Sequence, residues 1–313
     1  MARYATAPST CRLSKACSAR KRCGRSRPTW RIAVRSTDPR SPRRALVRWL
    51  AAAPLLACGI APAYADWERI SAGGSLKVAV YEDFAPFSNH GSGIDVALAQ
   101  ALARRLSLKL QLLPFPAGEN LDDDLRNMVW KGHYLGYGPA DVMLHVPVDR
   151  ALLANDKVRI FAPYHVETVR LVRDAQTMPA FAGIDDLAGK RIGVEQVSLA
   201  AMLLLGEGNG RLRDNVHIFP SAALALQALR EGRLDAVLAN RSEIEAALRG
   251  DPHYPLAPLA FARLPRDGWA VGMAVRKDDT ELARRLQAAL NDMTASGELG
   301  AIFAAHGVQV ARP

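Results

Sequence analysis

Apolar and polar residues alternate along the chain with two periods, one typical of buried strands and the other of one-sided helices. The run 76-LKVAVY-81 follows Gly73-Gly74 and has the length and apolar content of a buried strand. Apolar residues then recur at every third or fourth position from Ile94 to Leu106, which is the spacing of a single helix face. The same patterns predict strands over 109–115 and 141–145 and a helix over 121–130. Strands that alternate with helices indicate an α/β fold with parallel sheets and crossover helices.

The alternation starts again beyond residue 164. An extended segment is predicted over 164–173, and Ser221 is expected to cap a helix that Gly232 stops. The sequence 242-SEIE-245 is a capping-box pattern and predicts the start of a further helix. The remaining patterns predict strands over 192–194, 234–239 and 270–275, and helices over 281–294 and 299–305.

These two alternating halves predict two α/β lobes, and the chain must pass between them twice. The candidate crossover segments are 160–171 and 255–269, so the C-terminal segment returns to the first lobe. We therefore expect a bilobed α/β fold in which two lobes are joined by two crossover segments. Its parts are a leader over 1–65, lobe 1 over 66–166 and 259–313, and lobe 2 over 167–258.

The net charge of +10 belongs to the leader and not to the predicted lobes. Residues 1–49 hold 14 Lys and Arg against one acid, Asp38, which leaves 27 bases and 30 acids in the rest of the chain. The body is therefore slightly acidic and gives no electrostatic case for nucleic acid or an anionic membrane surface.

The leader has the pattern of a secretory signal peptide. Basic residues precede an uncharged run, 49-WLAAAPLLACGIAPAYA-65, which ends in the small-x-small motif Ala63-Tyr64-Ala65. We expect cleavage after Ala65 and a periplasmic mature chain without a membrane span, since the run is short and contains two prolines. The alternative is a lipobox at 55-LLAC-58, which would lipidate Cys58. All four cysteines precede Ala65, so the mature chain is expected to lack disulfides and thiol chemistry.

A series of short motifs resembles the extracellular solute-binding proteins of family 3, the bilobed receptors of polar amino-acid ABC importers. The matches run in family order over residues 75–308 and are 78-VAVYEDFAPFS-88, 161-FAPY-164, 187-LAGKRIGV-194, 232-GRLDAVLAN-240, 271-VGMAVRKDD-279 and 296-SGELGAIFAAHGV-308. The resemblance implies a Venus-flytrap (type II periplasmic binding protein) fold. It also implies a small-molecule ligand held between the lobes and an ABC permease as partner.

A narrower resemblance suggests a different partner. The phrase 136-GYGPADVMLHVPVD-149 is similar to one in solute-binding-like proteins encoded beside quinoprotein (PQQ-dependent) alcohol dehydrogenases and their cytochromes c. That similarity implies an alternative function, a periplasmic accessory factor that acts by contact with a quinoprotein dehydrogenase or cytochrome c.

The family resemblance implies where a ligand would sit. Phe84 and Phe87 would form an apolar wall, or else pack in the core. Arg150 would grip a ligand carboxylate bidentately, although two hydroxyl residues of the family motif are missing before it. The alternative for Arg150 is a surface or helix-start role.

Further candidates come from the second lobe and the lobe boundary. Asn240 stands where amino-acid binders place an acid for the ligand ammonium, which makes a standard α-amino acid a less favoured ligand. Ser198 begins a helix whose N-terminus would bind an anion. His145 and Tyr164 lie near the boundary, and Trp269 is a candidate hinge anchor or lid.

We therefore predict a periplasmic solute-binding protein that captures a small polar or carboxylate ligand for an ABC importer or sensor. No metal, cofactor or catalytic residue is predicted, because the seven histidines are scattered and Asp122-Asp123-Asp124 fits a helix start. An enzyme on this fold would need a cleft pair such as Glu82 or Asp83 with His145.

Overall fold

The computed structural model of the protein describes residues 65–261 and 268–312. The leader up to Tyr64, with Cys58 and most of the cleavage motif, lies outside the described residues, as does the stretch 262–267 of the second candidate crossover. All statements below concern the described part of the chain.

Strands and helices alternate through both halves. The strands are β1 (Ser75–Tyr81), β2 (Asp83–Phe84), β3 (Ser88–Asn89), β4 (Lys109–Phe115), β5 (Val142–Pro147), β6 (Val158–Glu167), β7 (Val169–Arg173), β8 (Ile192–Glu195), β9 (Val216–Phe219), β10 (Ala236–Asn240), β11 (Leu256–Pro258) and β12 (Trp269–Arg276). The helices are α1 (Ala65–Gly73), α2 (Ile94–Arg105), α3 (Leu121–Leu125), α4 (Arg150–Leu153), α5 (Leu199–Gly206), α6 (Ala222–Arg230), α7 (Arg241–Leu248), α8 (Thr280–Ala295) and α9 (Glu298–Ala305). A π-helical turn, Arg126–Trp130, extends α3.

Two five-stranded sheets form the two lobes. The first has the strand order β4-β1-β5-β12-β6, and the second has the order β11-β7-β10-β8-β9. The chain passes from the first sheet to the second at Thr168, between β6 and β7, and returns between β11 and β12. The exact lobe boundaries expected from the sequence stay a prediction.

Both sheets are mixed, whereas the sequence pattern predicted parallel ones. Strand β1 pairs in parallel with β4 and β5, but β12 runs antiparallel to both β5 and β6. In the second sheet β8 is parallel to β9 and β10, and β7 is antiparallel to β10 and β11. In each sheet one strand that follows a passage, β12 in the first sheet and β7 in the second, runs against its neighbours. This reversal was not readable from the pattern.

Each lobe has apolar clusters beside its sheet. In lobe 1 helices α2, α8 and α9 cover the sheet, with fully buried Leu98, Leu286 and Phe303 among the core residues. In lobe 2 helices α5, α6 and α7 lie against the second sheet, where Leu204 and Leu226 are buried. Since apolar burial supplies most of the folding free energy, the helix faces predicted from sequence spacing are what hold the lobes together.

Helix α7 begins at Arg241, one residue earlier than its predicted start at Ser242. Asn240 is the residue before the helix, and its backbone N–H donates to Glu243 Oε2 at 2.9 Å. Ser242 is fully buried inside the first turn and contacts His165. The capping-box pattern identified the helix correctly but placed its first residue wrongly, because the buried serine serves tertiary contacts.

Candidate ligand-binding site

A cavity of about 800 Å³ lies at the boundary between the two lobes. Strands β1, β4 and β5 are parallel and their carboxyl ends meet at one edge of the first sheet, which is where open α/β sheets place ligands. The second lobe contributes Asn240 at the end of β10. The lining residues are Tyr81, Glu82, Asp83, Phe84, His90, Pro116, Ala117, Gly118, Asn120, Leu121, Asp124, His145, Pro147, Glu167, Asn240 and Trp269.

The charge of this lining is one-sided. Four of the lining residues are carboxylic acids, and none is lysine or arginine within the described part of the chain. The other titratable residues of the lining are two histidines and Tyr81. The cavity therefore offers negative charge and acceptor oxygens, which suit a positively charged group.

His145 lines the cavity because strand β5 is locally irregular. Its backbone has φ +59°, a left-handed conformation that is costly for a residue with a side chain. The pairing of β5 with β12 shifts register at the same level, between Gly272 and Ala274. Such bulges re-aim side chains beside functional sites, and this one accompanies a histidine in the cavity wall.

A buried polar network holds the His145 region in place. The Tyr164 hydroxyl donates to Asp95 Oδ1 at 2.8 Å and accepts the backbone N–H of His145 at 2.9 Å. His145 Nδ1 lies 3.2 Å from Asp95 Oδ2, at ion-pair distance but without hydrogen-bond alignment. The His145 ring packs against Phe87, with 4.1 Å between ring centroids. Tyr164 and Phe87 therefore support the wall from behind.

Asp124 joins the wall from the start of α3. Its Oδ2 accepts the Tyr81 hydroxyl at 3.1 Å, and its Oδ1 accepts the Gly118 N–H at 2.8 Å. Burial raises the pKa of Asp124, against the effect of these two hydrogen bonds. The pKa of Tyr81 is also raised, by burial and by the neighbouring Asp124 charge. The polar atoms of Tyr81 and Asp124 therefore already have hydrogen-bond partners within the protein.

Glu167 is a different kind of acid, because one of its oxygens has no partner. It ends β6 at the passage between the lobes and is 2% exposed. Its Oε1 accepts the Thr168 N–H at 2.9 Å, whereas its buried Oε2 has no hydrogen-bond partner in the described structure. Burial raises the pKa of Glu167, and hydrogen bonds from Ser242 and Thr168 act against that rise. An orphaned buried carboxylate oxygen is costly unless something else satisfies it.

His165 does not neutralise Glu167. The Ala311 N–H donates to His165 Nδ1 at 3.2 Å, so the ring proton sits on Nε2, which lies 3.0 Å from Ser242 Oγ. Glu167 Oε2 is farther away, at 3.9 Å from Nε2. Burial, followed by the charges of His145 and Arg241, lowers the pKa of His165 to about 4. The ring is therefore neutral at pH 7 and does not itself offset the charge of Glu167.

Two further acids lie beside Glu167 in the second lobe. Burial raises the pKa of Glu243 to about 8, with the charges of Glu195 and Glu167 adding to the rise and the Asn240 N–H opposing it. Burial and the charge of Asp83 across the boundary raise the pKa of Glu195. Carboxyl groups from both lobes thus gather around the cavity, and their mutual repulsion adds to the raised pKa values of Glu243 and Glu195.

Replacing Glu243 by glutamine should remove a pH-dependent loss of stability. The pKa of Glu243 is raised from 4.5 to about 8 on folding, so the folded state binds a proton that the unfolded state releases. Stability contributed by that proton is present below pH 4.5 and is lost as pH rises toward 8. Glutamine keeps an acceptor for the Asn240 N–H. We expect the variant to gain at least about 1 kcal/mol over the wild type between pH 5 and pH 9 in chemical denaturation. A difference that stays constant with pH would contradict this.

The structure brings together only some of the predicted site residues. Phe84, His145, Asn240 and Trp269 line the cavity, while Phe87 and Tyr164 lie in the core behind it. Phe84 stacks on Phe87 with 5.6 Å between ring centroids, so the predicted aromatic wall has one lining member and one core member.

Arg150 and Ser198 are not among the lining residues. Arg150 is exposed at the start of α4, where Asp149 caps the helix by accepting the Ala151 N–H at 2.8 Å. This is the helix-start arrangement that the sequence left open for Arg150. Ser198 caps α5 by accepting the Ala201 N–H at 3.1 Å. The cavity lining thus gives the predicted carboxylate clamp no support.

Sequence reasoning missed Glu167, Asp124 and Glu243 as members of the site region. Asp124 was assigned to a helix start, which is correct for α3, but its side chain also reaches the cavity. The signal for Glu167 was present, since it is an acid inside the apolar stretch 160-IFAPYHVETVRL-171. Burying an acid in an apolar segment is costly unless a polar group pairs with it. Because residues 160–171 are the first candidate crossover, this acid could have been expected near the lobe boundary.

Two searches bear on other kinds of site. Within 65–261 and 268–312, no group of three or more His, Cys, Asp or Glu side chains is placed to hold a metal ion. None of the helices in these ranges combines the length and apolarity that crossing a bilayer requires.

Two α/β lobes, two passages of the chain between them and a cavity at their boundary are the architecture of bilobed solute-binding proteins. No known family model matches the sequence. A probable histidine-binding protein of Neisseria gonorrhoeae is 24% identical over 273 residues, which cover 82% of this chain and 94% of that protein. An ABC transporter arginine-binding protein of Escherichia coli (strain K12) is 23% identical over 238 residues, covering 72% of this chain and 88% of that protein.

Comparison with solved structures supports the same bilobed fold. An ancestral cationic amino acid solute-binding protein superposes with a TM-score of 0.62 at 19% identity, over 77% of this chain and 99% of its own. The predicted bilobed fold and the resemblance to amino-acid substrate-binding proteins are confirmed. The homologues are binding proteins and not enzymes. They give no support to the quinoprotein association inferred from residues 136–149.

Proposed function

We propose that this protein captures a small positively charged solute in the cavity between its lobes and delivers it to an ABC importer. The observation that carries the proposal is the charge of the lining, with four carboxylic acids and no lysine or arginine in its described part. Captured ligand would contact both lobes and so stabilise a closed form that a permease recognises.

The aromatic residues of the lining favour the same charge. Tyr81, Phe84 and Trp269 are the aromatic members of the described lining, and the faces of aromatic rings attract cations. Trp269 is the register partner of Glu167 in the pairing of β12 with β6. An aromatic residue and the carboxylate with the unpartnered oxygen are therefore neighbours on adjacent strands. A ligand with an apolar body and a cationic end matches this combination.

The relatives point to cationic ligands as well. Histidine and arginine, for which two relatives are named, both have basic side chains. On this view the protein works in the periplasm, with the leader over 1–65 directing its export. It acts as a receptor without chemistry of its own, and His145 serves the wall through its contacts with Asp95 and Phe87.

A thermal-shift panel on the purified protein tests the proposal. The panel should contain alkylamines, guanidines, basic amino acids, dicarboxylates and neutral alcohols. We expect only the cations to stabilise the protein, because the lining is acidic. A ligand at 100 times its dissociation constant adds about 2.7 kcal/mol to the free energy of unfolding, which a thermal shift detects. Stabilisation by dicarboxylates, with none by any cation, would contradict it.

A further inference from the structure

We propose that the solute is an organic amine or guanidine without a carboxylate, and that Glu167 is the residue that binds its cationic end. This inference rests on the proposed function and narrows it. It separates the chain from a receptor for α-amino acids, whose ligands carry a carboxylate beside the ammonium group.

Glu167 has the features expected of a residue that binds the cationic end of a ligand. Its side chain is 2% exposed and lines the cavity, yet its Oε2 has no hydrogen-bond partner within the described structure. The neighbouring His165 is neutral and has its ring proton directed to Ser242. A ligand N–H carrying positive charge supplies the missing donor and the missing charge together.

A carboxylate in the same cavity would meet no lysine or arginine among the described lining residues. The backbone N–H groups of two lining residues are already taken, since Asn240 N–H donates to Glu243 Oε2 and Gly118 N–H donates to Asp124 Oδ1. A carboxylate placed there would face like charge without a lysine or arginine to pair with it, which is costly.

The two devices expected to grip a carboxylate lie elsewhere. Arg150 is exposed on α4, and the N-terminus of α5 is closed by the Ser198 side chain. Val197, just before that helix, is fully exposed and lies outside the lining. The described lining therefore offers carboxylates to the cationic end of a ligand and no lysine or arginine to an anionic end.

Matched pairs that differ only by a carboxylate test this inference. We would measure calorimetric affinities of the protein for agmatine against arginine, cadaverine against lysine, and histamine against histidine. Because the acidic lining repels the carboxylate and its described part has no lysine or arginine to pair with it, we expect at least one amine to bind at least tenfold more tightly than its amino acid. The same amine should bind Glu167→Gln at least tenfold more weakly.

The outcomes separate the two proposals. Amino acids that bind as tightly as their amines, or more tightly, would overturn this inference and leave capture of a cation standing. Binding of an amine that survives Glu167→Gln unchanged would overturn the anchor. Binding of none of these six compounds, together with binding of the dicarboxylates in the thermal-shift panel, would overturn the proposed function itself.

Discussion

Replacing Glu167 by glutamine should weaken the binding of a cationic solute by about 10- to 100-fold while the protein stays folded. A hydrogen bond to a charged group contributes about 1.5–3 kcal/mol, and the variant removes the charge but keeps the side-chain shape. The folded state should not suffer, because among the described residues Glu167 Oε2 has no hydrogen-bond partner that the substitution would remove. Calorimetric titration with a cation that stabilises the wild type measures the effect.

The control and the pH profile make this test specific. Asp214→Asn removes one negative charge from an exposed position outside the lining and should leave affinity unchanged. Burial raises the pKa of Glu167, so wild-type affinity for a guanidinium should increase with pH as the carboxylate ionises. The Glu167→Gln variant should lose that increase. Equal pH profiles for the two proteins would contradict the anchor role.

A large loss of stability is expected from Gly93→Ala. Gly93 precedes α2 with φ +123°, and an added Cβ would lie 2.4 Å from the carbonyl oxygen of Phe87. Backbone atoms cannot yield as flexible side chains do, and the turn is fixed because the Asp95 N–H donates to Phe87 O at 2.8 Å. We expect a loss of at least about 3 kcal/mol in the free energy of unfolding, measured by chemical denaturation.

Gly91 provides the matched comparison in the same turn. It also has a positive φ, +83°, but an added Cβ would meet nothing within 4 Å. Gly91→Ala should therefore cost only the backbone strain, about 1 kcal/mol. Equal losses for the two variants would show that strain alone, and not the clash with Phe87, determines the stability of this turn.

Much of the fold was predictable because burial follows spacing. The apolar face of α2 and the strands β1 and β4 were expected within a few residues of their observed bounds. The edge strand β9 was not, since its residues are mostly exposed or half-buried and carry no core pattern. The antiparallel direction of β12 depends on the return of the chain between lobes, which is a tertiary property without a local signature.

The site was less predictable than the fold. The family resemblance identified Phe84, His145, Asn240 and Trp269 as lining candidates, because strand ends meet at one edge of an α/β sheet. It also directed attention to Arg150 and a carboxylate ligand. The decisive feature is that Glu167 has an oxygen without a partner, and only the packing of β6 against α7 makes that visible.

The most direct test of the account compares two ligands with the same chain length and opposite charge. Pentane-1,5-diamine and pentanedioate each have five carbons, and calorimetric titration of the purified protein with both measures which charge the cavity selects. We expect the diamine to bind and the dicarboxylate not to bind. Tighter binding of the dicarboxylate would contradict the claim that the acidic lining captures a cation.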